Sequence, residues 1–276
     1  MPFVRIKSNP SQQVHLYYES HGTGDPVVLI HAYSLSCDSW EKQIRPLVAA
    51  GFRVVPYDRR GFGRSDRPTY GYDADTLASD LNSLLETLDL KNTVLIGHSM
   101  GGVEVARYLS KYGTARVRKA IYIAATNPYL KKAPDNPDGL EYGPFQDFQS
   151  ALLIDRPFAL AANLSEFYSS ATKRQELVSK QKLDADFIVA SQASPIAIHD
   201  CVDVWLTDLR ADHEAIQIPS LVIHGTADVS IPIEASGQRT ALYPNHSLVA
   251  VEGAPHGVIW THPEETNRAI IDFIRE

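Results

Sequence analysis

Apolar residues fall along this chain in two rhythms that trade places. Short unbroken runs, "PVVLIHA" (26–32), "FRVVPYD" (52–58), "TVLIGH" (93–98) and "VRKAIYIAA" (117–125), read as strands covered on both faces. A strand covered on one face only would alternate polar and apolar positions. Between these runs lie stretches of helical period. "SWEKQIRPLVAAG" (39–51) closes on Gly51, "DADTLASDLNSLLETLDL" (73–90) carries Leu77, Leu81, Leu84, Leu85 and Leu88 on one face, and "GGVEVARYLSKYG" (101–113) follows. Two opening segments, "FVRIK" and "QVHLYYES", read as a hairpin. From about 127 to 212 the alternation stops. A Pro-rich loop leads into "DFQSALLIDRPFALAANLSEFYSS", "TKRQELVSKQKL" and "ADFIVASQASPIAIHDCVDVWLTDL", all helix-like, with no strand between them. Alternation then resumes with "PSLVIHGTAD" (219–228), a helix in "IEASGQRTALY" (233–243), the strand "HSLVAVEGAPH" (246–256) and a last helix, "PEETNRAIIDFIRE".

Such alternation predicts the α/β class, a mostly parallel eight-stranded sheet with helices on both faces. Residues 1–126 and 213–276 are expected to form one core domain. Residues 127–212 are expected to be a helical cap inserted over the carboxyl edge of the strands, where ligands bind in such folds.

Composition narrows the function classes. With 44% hydrophobic and 21% charged residues this is an ordinary globular chain. Its net charge of -7 argues against a general nucleic-acid binder, which needs a basic face. The one basic cluster, Arg59, Arg60, Arg64 and Arg67 in "YDRRGFGRSDRP", is interleaved with acids and reads as structural or solvated. Cys37 and Cys201 make neither a disulfide framework nor a zinc spacing. No signal peptide and no apolar run of about 20 residues is legible, so a cytoplasmic chain without membrane contact is expected. Oligomeric state is not legible, and a homo-oligomer stays open.

One stretch does not need its residues for packing. In "VLIGHSMGGVEVARYL" a buried strand ends in Gly97-His98-Ser99-Met100-Gly101-Gly102 and turns directly into a helix. This is G-x-S-x-G, a nucleophile elbow: serine in a strained bend, small neighbours avoiding clashes, a helix start favouring developing negative charge. A serine hydroxyl needs a base, and the base an orienting acid. In this strand order the acid follows the next strand and the histidine the last one, which places Asp228 in "HGTAD" and His256 in "GAPHG". The expected triad is Ser99, His256 and Asp228. The expected oxyanion donors are the backbone N–H groups of Met100 and of Tyr33 in "LIHAYSLSCDSW". Tyr33, His98, Trp205 and Val258 are candidate pocket walls. His31 and His224 read as locally hydrogen-bonded strand-end histidines, and Asp58 as a structural carboxylate of its turn. A small ester is the expected substrate. Lactones and amides fall under the same chemistry, and lyases and acyltransferases can use the same triad.

"GHSMGG", "HGTAD", "GAPHG", "YDRRGFGRS" and the "LIHAYSLSCDSW" loop together resemble the α/β-hydrolase superfamily, and within it the cofactor-free haloperoxidase and aryl-esterase branch. The likeness extends over nearly the whole chain except about 145–200. It implies a serine esterase with no metal and no cofactor, whose acyl-enzyme can be attacked by hydrogen peroxide to give a peracid. No haem, vanadium or flavin motif is visible. Two positions depart from the family pattern. Ala32 stands where glycine usually follows the histidine, and Ser34 where that branch usually has proline. Proline fixes φ and lacks an N–H, so Ser34 predicts a different loop backbone beside the acyl group.

Overall fold

A computed structural model describes residues 2–9, 12–169 and 177–276. The first part of the expected helix "TKRQELVSKQKL" lies outside the described residues. Eight strands are present among the described residues. β1 (Phe3–Asn9) and β2 (Gln12–Tyr17) pair antiparallel as the opening hairpin. β3 (Pro26–Ile30), β4 (Arg53–Tyr57), β5 (Thr93–His98), β6 (Val117–Ile123), β7 (Ser220–Gly225) and β8 (His246–Val251) form a parallel sheet in the order β4-β3-β5-β6-β7-β8. The hairpin joins the β4 edge by isolated antiparallel bridges, Tyr18 to Tyr57 and His21 to Val54. One residue explains why no full ladder forms there. Val54 and Asp58 donate outward to the carbonyls of His21 and Tyr17 at 2.8 and 2.9 Å, and the residue between them with the same outward direction is Pro56, which has no N–H.

Period-two alternation within each strand splits the core into two layers. Val28, Ile30, Val55 and Leu95 face α2 (Ala74–Thr87) and α3 (Gly101–Tyr112), packing with Leu77, Leu81 and Val105. Val27, Leu29, Val94 and Ile96 face α1 (Glu41–Ala49) and the last helix, packing with Leu47, Ile270 and Ile274. Asp73 starts α2 by accepting the Thr76 N–H at 2.8 Å, a side-chain cap that satisfies one of the helix's orphan donors.

Between β6 and β7 the described residues carry α4 (Gly143–Phe167), α5 (Lys180–Gln192), α6 (Pro195–Val204) and α7 (Arg210–Ala215). α4 is broken at Asp155, whose φ of -148° and ψ of 83° are not helical, two residues before Pro157. Asp155 then accepts the Phe158 N–H at 3.0 Å and so caps the second half. After β7 come α8 (Gly237–Thr240), α9 (Val258–Thr261) and α10 (Pro263–Arg275). The helix expected over 233–243 is therefore a single turn. Residues before it are used otherwise: Ser236 Oγ donates to the Ala125 carbonyl at 2.5 Å and ties the segment to the end of β6.

Strand order reverses between β3 and β5, since the chain builds β4 on one side of β3 and then crosses to the other. The loop after β3 and the bend after β5 flank that switch point at the carboxyl ends of the strands, where a crevice opens.

Candidate active site

Ser99 follows β5 directly and holds φ at +54°, the left-handed region that a side chain rarely adopts. Its own N–H is fixed to the Ile123 carbonyl at 2.8 Å, and its carbonyl accepts the Gly102 N–H at 2.9 Å as α3 begins. The flanking glycines are required by space. A Cβ on Gly97 would strike the backbone of Gly101 and Gly102, and a Cβ on Gly101 would strike the Ile30 carbonyl.

The three residues expected to act together meet. Ser99 Oγ lies 2.8 Å from His256 Nε2, and His256 Nδ1 lies 2.7 Å from Asp228 Oδ2. All three are buried. Asp228 Oδ1 accepts the N–H groups of Ser230 and Ile231 at 3.0 and 2.8 Å. Burial by itself raises the Asp228 carboxyl, but the His256 charge and the hydrogen bonds from His224 and His256 outweigh it, and the net shift is well below the usual carboxylate range. The carboxylate therefore stays ionised and holds His256 with Nε2 facing the serine.

His224 and His98 do more than the sequence reading assigned. His224 Nε2 donates to the Ile231 carbonyl at 2.8 Å, as a local bond, and also lies 3.2 Å from Asp228 Oδ2, so it braces the acid of the triad. His98 is not a pocket wall. It precedes Ser99 on β5, and alternation turns its ring to the other side, against Trp40 and Phe167. There Nε2 donates to the backbone carbonyl of His256 at 3.0 Å. Burial first, and then the nearby His256, pull the His98 pKa down to about 3, so the ring is a neutral strut under the His256 loop. Val258 is not a wall either: it opens α9 and packs in the layer of Val27 and Ile270.

Tyr33 and Trp205 do line the cavity, packed edge to face with ring centroids 4.6 Å apart. The cavity holds about 500 Å³ and is lined by Ser99 and His256 from the core and by Phe145, Phe148, Phe158 and Phe167 from α4, Phe167 packing against His256. Among the described residues neither the Tyr33 nor the Met100 amide donates to a protein acceptor, so both remain available as donors beside Ser99. Ser34 sits at φ +61°, a conformation that proline, fixed near -65°, does not fit.

The loop after β3 rests on buried charge. Arg59 and Arg60 are fully buried and take the structural option for that cluster, whereas Arg64 and Arg67 are exposed. The Arg59 guanidinium pairs with Glu104 on α3 and donates to the His31 carbonyl at 2.8 Å, while Tyr57 Oη donates to Glu104 at 2.5 Å. The Arg59 N–H reaches His31 Nε2 at 3.0 Å, and His31 Nδ1 donates to the Ala32 carbonyl at 2.7 Å. Burial, reinforced by Arg59, keeps His31 well below its usual pKa. Asp58 is the structural carboxylate expected, accepting from the Cys37 and Arg64 amides at 2.7 and 2.8 Å. Arg60 pairs with Asp80 of α2. Among the described residues one group has the donor types for a metal, Glu19, Cys37 and Asp38, and the Arg64 guanidinium already sits among them, 2.9 Å from Cys37 Sγ and 2.8 Å from Asp38.

Comparison with known proteins agrees with this geometry. Residues 25–263 match the alpha/beta hydrolase fold family model. The chain is 37% identical to the non-heme chloroperoxidase CPO-A1 of Kitasatospora aureofaciens, covering 95% of this chain and 97% of that one. It is 35% identical to a bifunctional esterase/perhydrolase of Acinetobacter calcoaceticus, over 95% of this chain and 96% of that one. The crystal structure of a bromoperoxidase from Bacillus anthracis superposes with a TM-score of 0.95 at 44% identity, covering 99% and 100% of the two chains. The chain belongs to the α/β hydrolase fold family, in its branch of non-heme haloperoxidases and esterase/perhydrolases.

Proposed function

We propose that this protein is a serine esterase that forms an acyl-enzyme on Ser99 and passes the acyl group to water or to hydrogen peroxide. The observation that carries the reading is the unbroken bonding from Ser99 Oγ through His256 to Asp228, 2.8 and 2.7 Å, on the floor of an apolar cavity. Ser99 Oγ attacks the ester carbonyl while His256 Nε2 takes its proton. The negative charge on the carbonyl oxygen is received by the N–H groups of Tyr33 and Met100. The C–O bond breaks, the alcohol leaves with the proton from His256, and the acyl group remains on Ser99. Water, deprotonated by His256, then gives the carboxylic acid. Hydrogen peroxide in the same place gives the peracid, and free Ser99 returns in both cases. The peracid can oxidise a halide ion in solution, transferring its terminal OH to the halide to yield hypohalous acid and the parent carboxylate. The names of the relatives support this pairing of esterase and perhydrolase activity.

In this reading residues 1–126 and 213–276 form the core that carries the triad, residues 127–212 form the cap, and α7 spans the seam. The substrate is a small ester or lactone that fits the aromatic cavity. Two free, buried thiols, Cys37 and Cys201, support a cytoplasmic setting. Among the described residues no helix is long and apolar enough to cross a membrane.

The test is p-nitrophenyl acetate hydrolysis by wild type and Ser99→Ala, with and without hydrogen peroxide and a peracid readout. We expect Ser99→Ala to lose at least about a thousandfold in kcat while remaining folded. Peracid from the wild type alone supports the transfer to peroxide. Ester turnover without peracid reduces the protein to a plain esterase, and near-normal activity in Ser99→Ala refutes the nucleophile.

A further inference from the structure

The cavity beside Ser99 carries an unbalanced charge. Glu166, in the last turn of α4, lines it together with Ser99 and His256. The next residue, Phe167, packs edge-on against the His256 ring at 5.0 Å, and its carbonyl accepts the Gly257 N–H at 2.8 Å. That turn of α4 is thus held against the histidine loop, and Glu166 is carried to the reacting centre with it. One other charged side chain lines the cavity, Glu141, and it is paired with Lys132. Among the described residues Glu166 has no ion pair or side-chain hydrogen bond, and no lysine or arginine lines the cavity. The remaining walls are largely aromatic and aliphatic.

The position is a poor one for a carboxylate. The last turn of a helix is the negative end of its dipole, which disfavours an anion there. Desolvation against the apolar walls pushes the Glu166 carboxyl upward; His256 opposes this and Asp228 adds to it. Glu166 is exposed to the solvent that fills the cavity, and among the described residues no cation offsets its charge, so a ligand entering there would meet the carboxylate directly. Asn163, one turn earlier on the same helix face, also lines the cavity and offers an amide to a polar tail.

We propose that Glu166 sets the charge selectivity of the cavity, admitting esters with neutral or cationic tails and rejecting those with a carboxylate tail. The proposal rests on the reading of Ser99 as nucleophile for its kinetic test, and a binding test separates the two. Three p-nitrophenyl esters of matched chain length serve as probes: the heptanoate, the mono-ester of suberic acid and a trimethylammonium-tailed analogue. The assays are run at about pH 8, well above the ordinary carboxyl range. Wild type should then show kcat/KM for the carboxylate-tailed ester at least about tenfold below that for the heptanoate. Glu166→Gln should raise the ratio of carboxylate-tailed to neutral ester about tenfold and lower the ratio of cationic to neutral ester several-fold. Glu166→Asp should keep the wild-type order. Ratios that do not move in Glu166→Gln overturn the proposal. Should the wild type hydrolyse none of the three, the esterase reading fails on its own, and selectivity is read from binding instead. Trp205 lines the cavity, so tryptophan fluorescence can follow titration of Ser99→Ala with heptyltrimethylammonium and with octanoate. Tighter binding of the cation, lost in the Ser99→Ala/Glu166→Gln double variant, supports the proposal. The same preference in both variants overturns it.

Discussion

On the core side of the cavity, Ser99, His256 and Asp228 are buried and joined to one another by hydrogen bonds of 2.8 and 2.7 Å, with His224 3.2 Å from Asp228. Beneath the loop after β3 lies a second polar layer, Arg59 with Glu104 and Tyr57. The cap side is built differently. α4 is broken at Asp155, and Leu153, Ile154 and Phe158 around the break are 75%, 86% and 70% exposed. Its cavity face holds aromatic and aliphatic side chains and the Glu166 carboxylate, which has no ion pair among the described residues. Directional bonds fix positions to fractions of an ångström, as chemistry at one oxygen requires. Apolar contact is non-directional and tolerates different shapes. Reaction and selectivity are thus carried by different parts of the chain held by different forces.

Substitutions on the two sides should separate these roles. The largest effect is expected on the core side from Asp228→Asn, which removes the acceptor that fixes the His256 tautomer. We expect kcat to fall about ten-thousandfold with KM little changed, measured by steady-state ester hydrolysis. A loss under tenfold would mean that His224 or another group orients His256 adequately. Next comes Glu104→Gln, which touches no substrate. It leaves the buried Arg59 charge without its partner, so unfolding in urea should show a loss of about 3 kcal/mol. Because Arg59 also holds the His31 carbonyl, kcat should fall about tenfold with KM nearly constant. An unaltered kcat with lowered stability would confine the pair to a structural role. The smallest effect is expected on the cap side. Trp205→Ala removes a cavity wall and should raise KM several-fold for aromatic esters, about 1 kcal/mol, with kcat held within about threefold. A large fall in kcat instead would show that Trp205 positions Tyr33 and the loop, and the division between the two sides would not hold there.

The strands and most of the core helices are legible because backbone geometry imposes short periods on the pattern. Leu77, Leu81 and Leu84 mark α2 by spacing alone. The grouping of Ser99, Asp228 and His256 was legible for a related reason: each follows a strand of the parallel sheet, and the carboxyl ends of parallel strands lie on one edge. The G-x-S-x-G bend then identifies which edge matters. His98 shows where this stops. Its neighbour Ser99 suggested the cavity, yet the side-chain period of two sends adjacent residues to opposite sides, and the left-handed bend at Ser99 ends the strand between them. Val258 likewise follows His256 by two residues but enters a helix whose face turns to the core. For Glu166 a local signal did exist, an acid in the last turn of an apolar helix, but many such residues simply face water.

From the sequence alone came the alternating order of elements, the interruption between β6 and β7, and the serine, acid and histidine in their chain order. These follow from local steric rules and from the order in which parallel strands are joined. Tertiary packing alone decided that Arg59 and Arg60 are buried under the loop after β3, that His98 and His224 brace the residues around Ser99, and that Glu166 lines the cavity. Each of these contacts joins residues on different elements or turns, and its geometry depends on how whole helices settle on the sheet, which no short window of sequence contains.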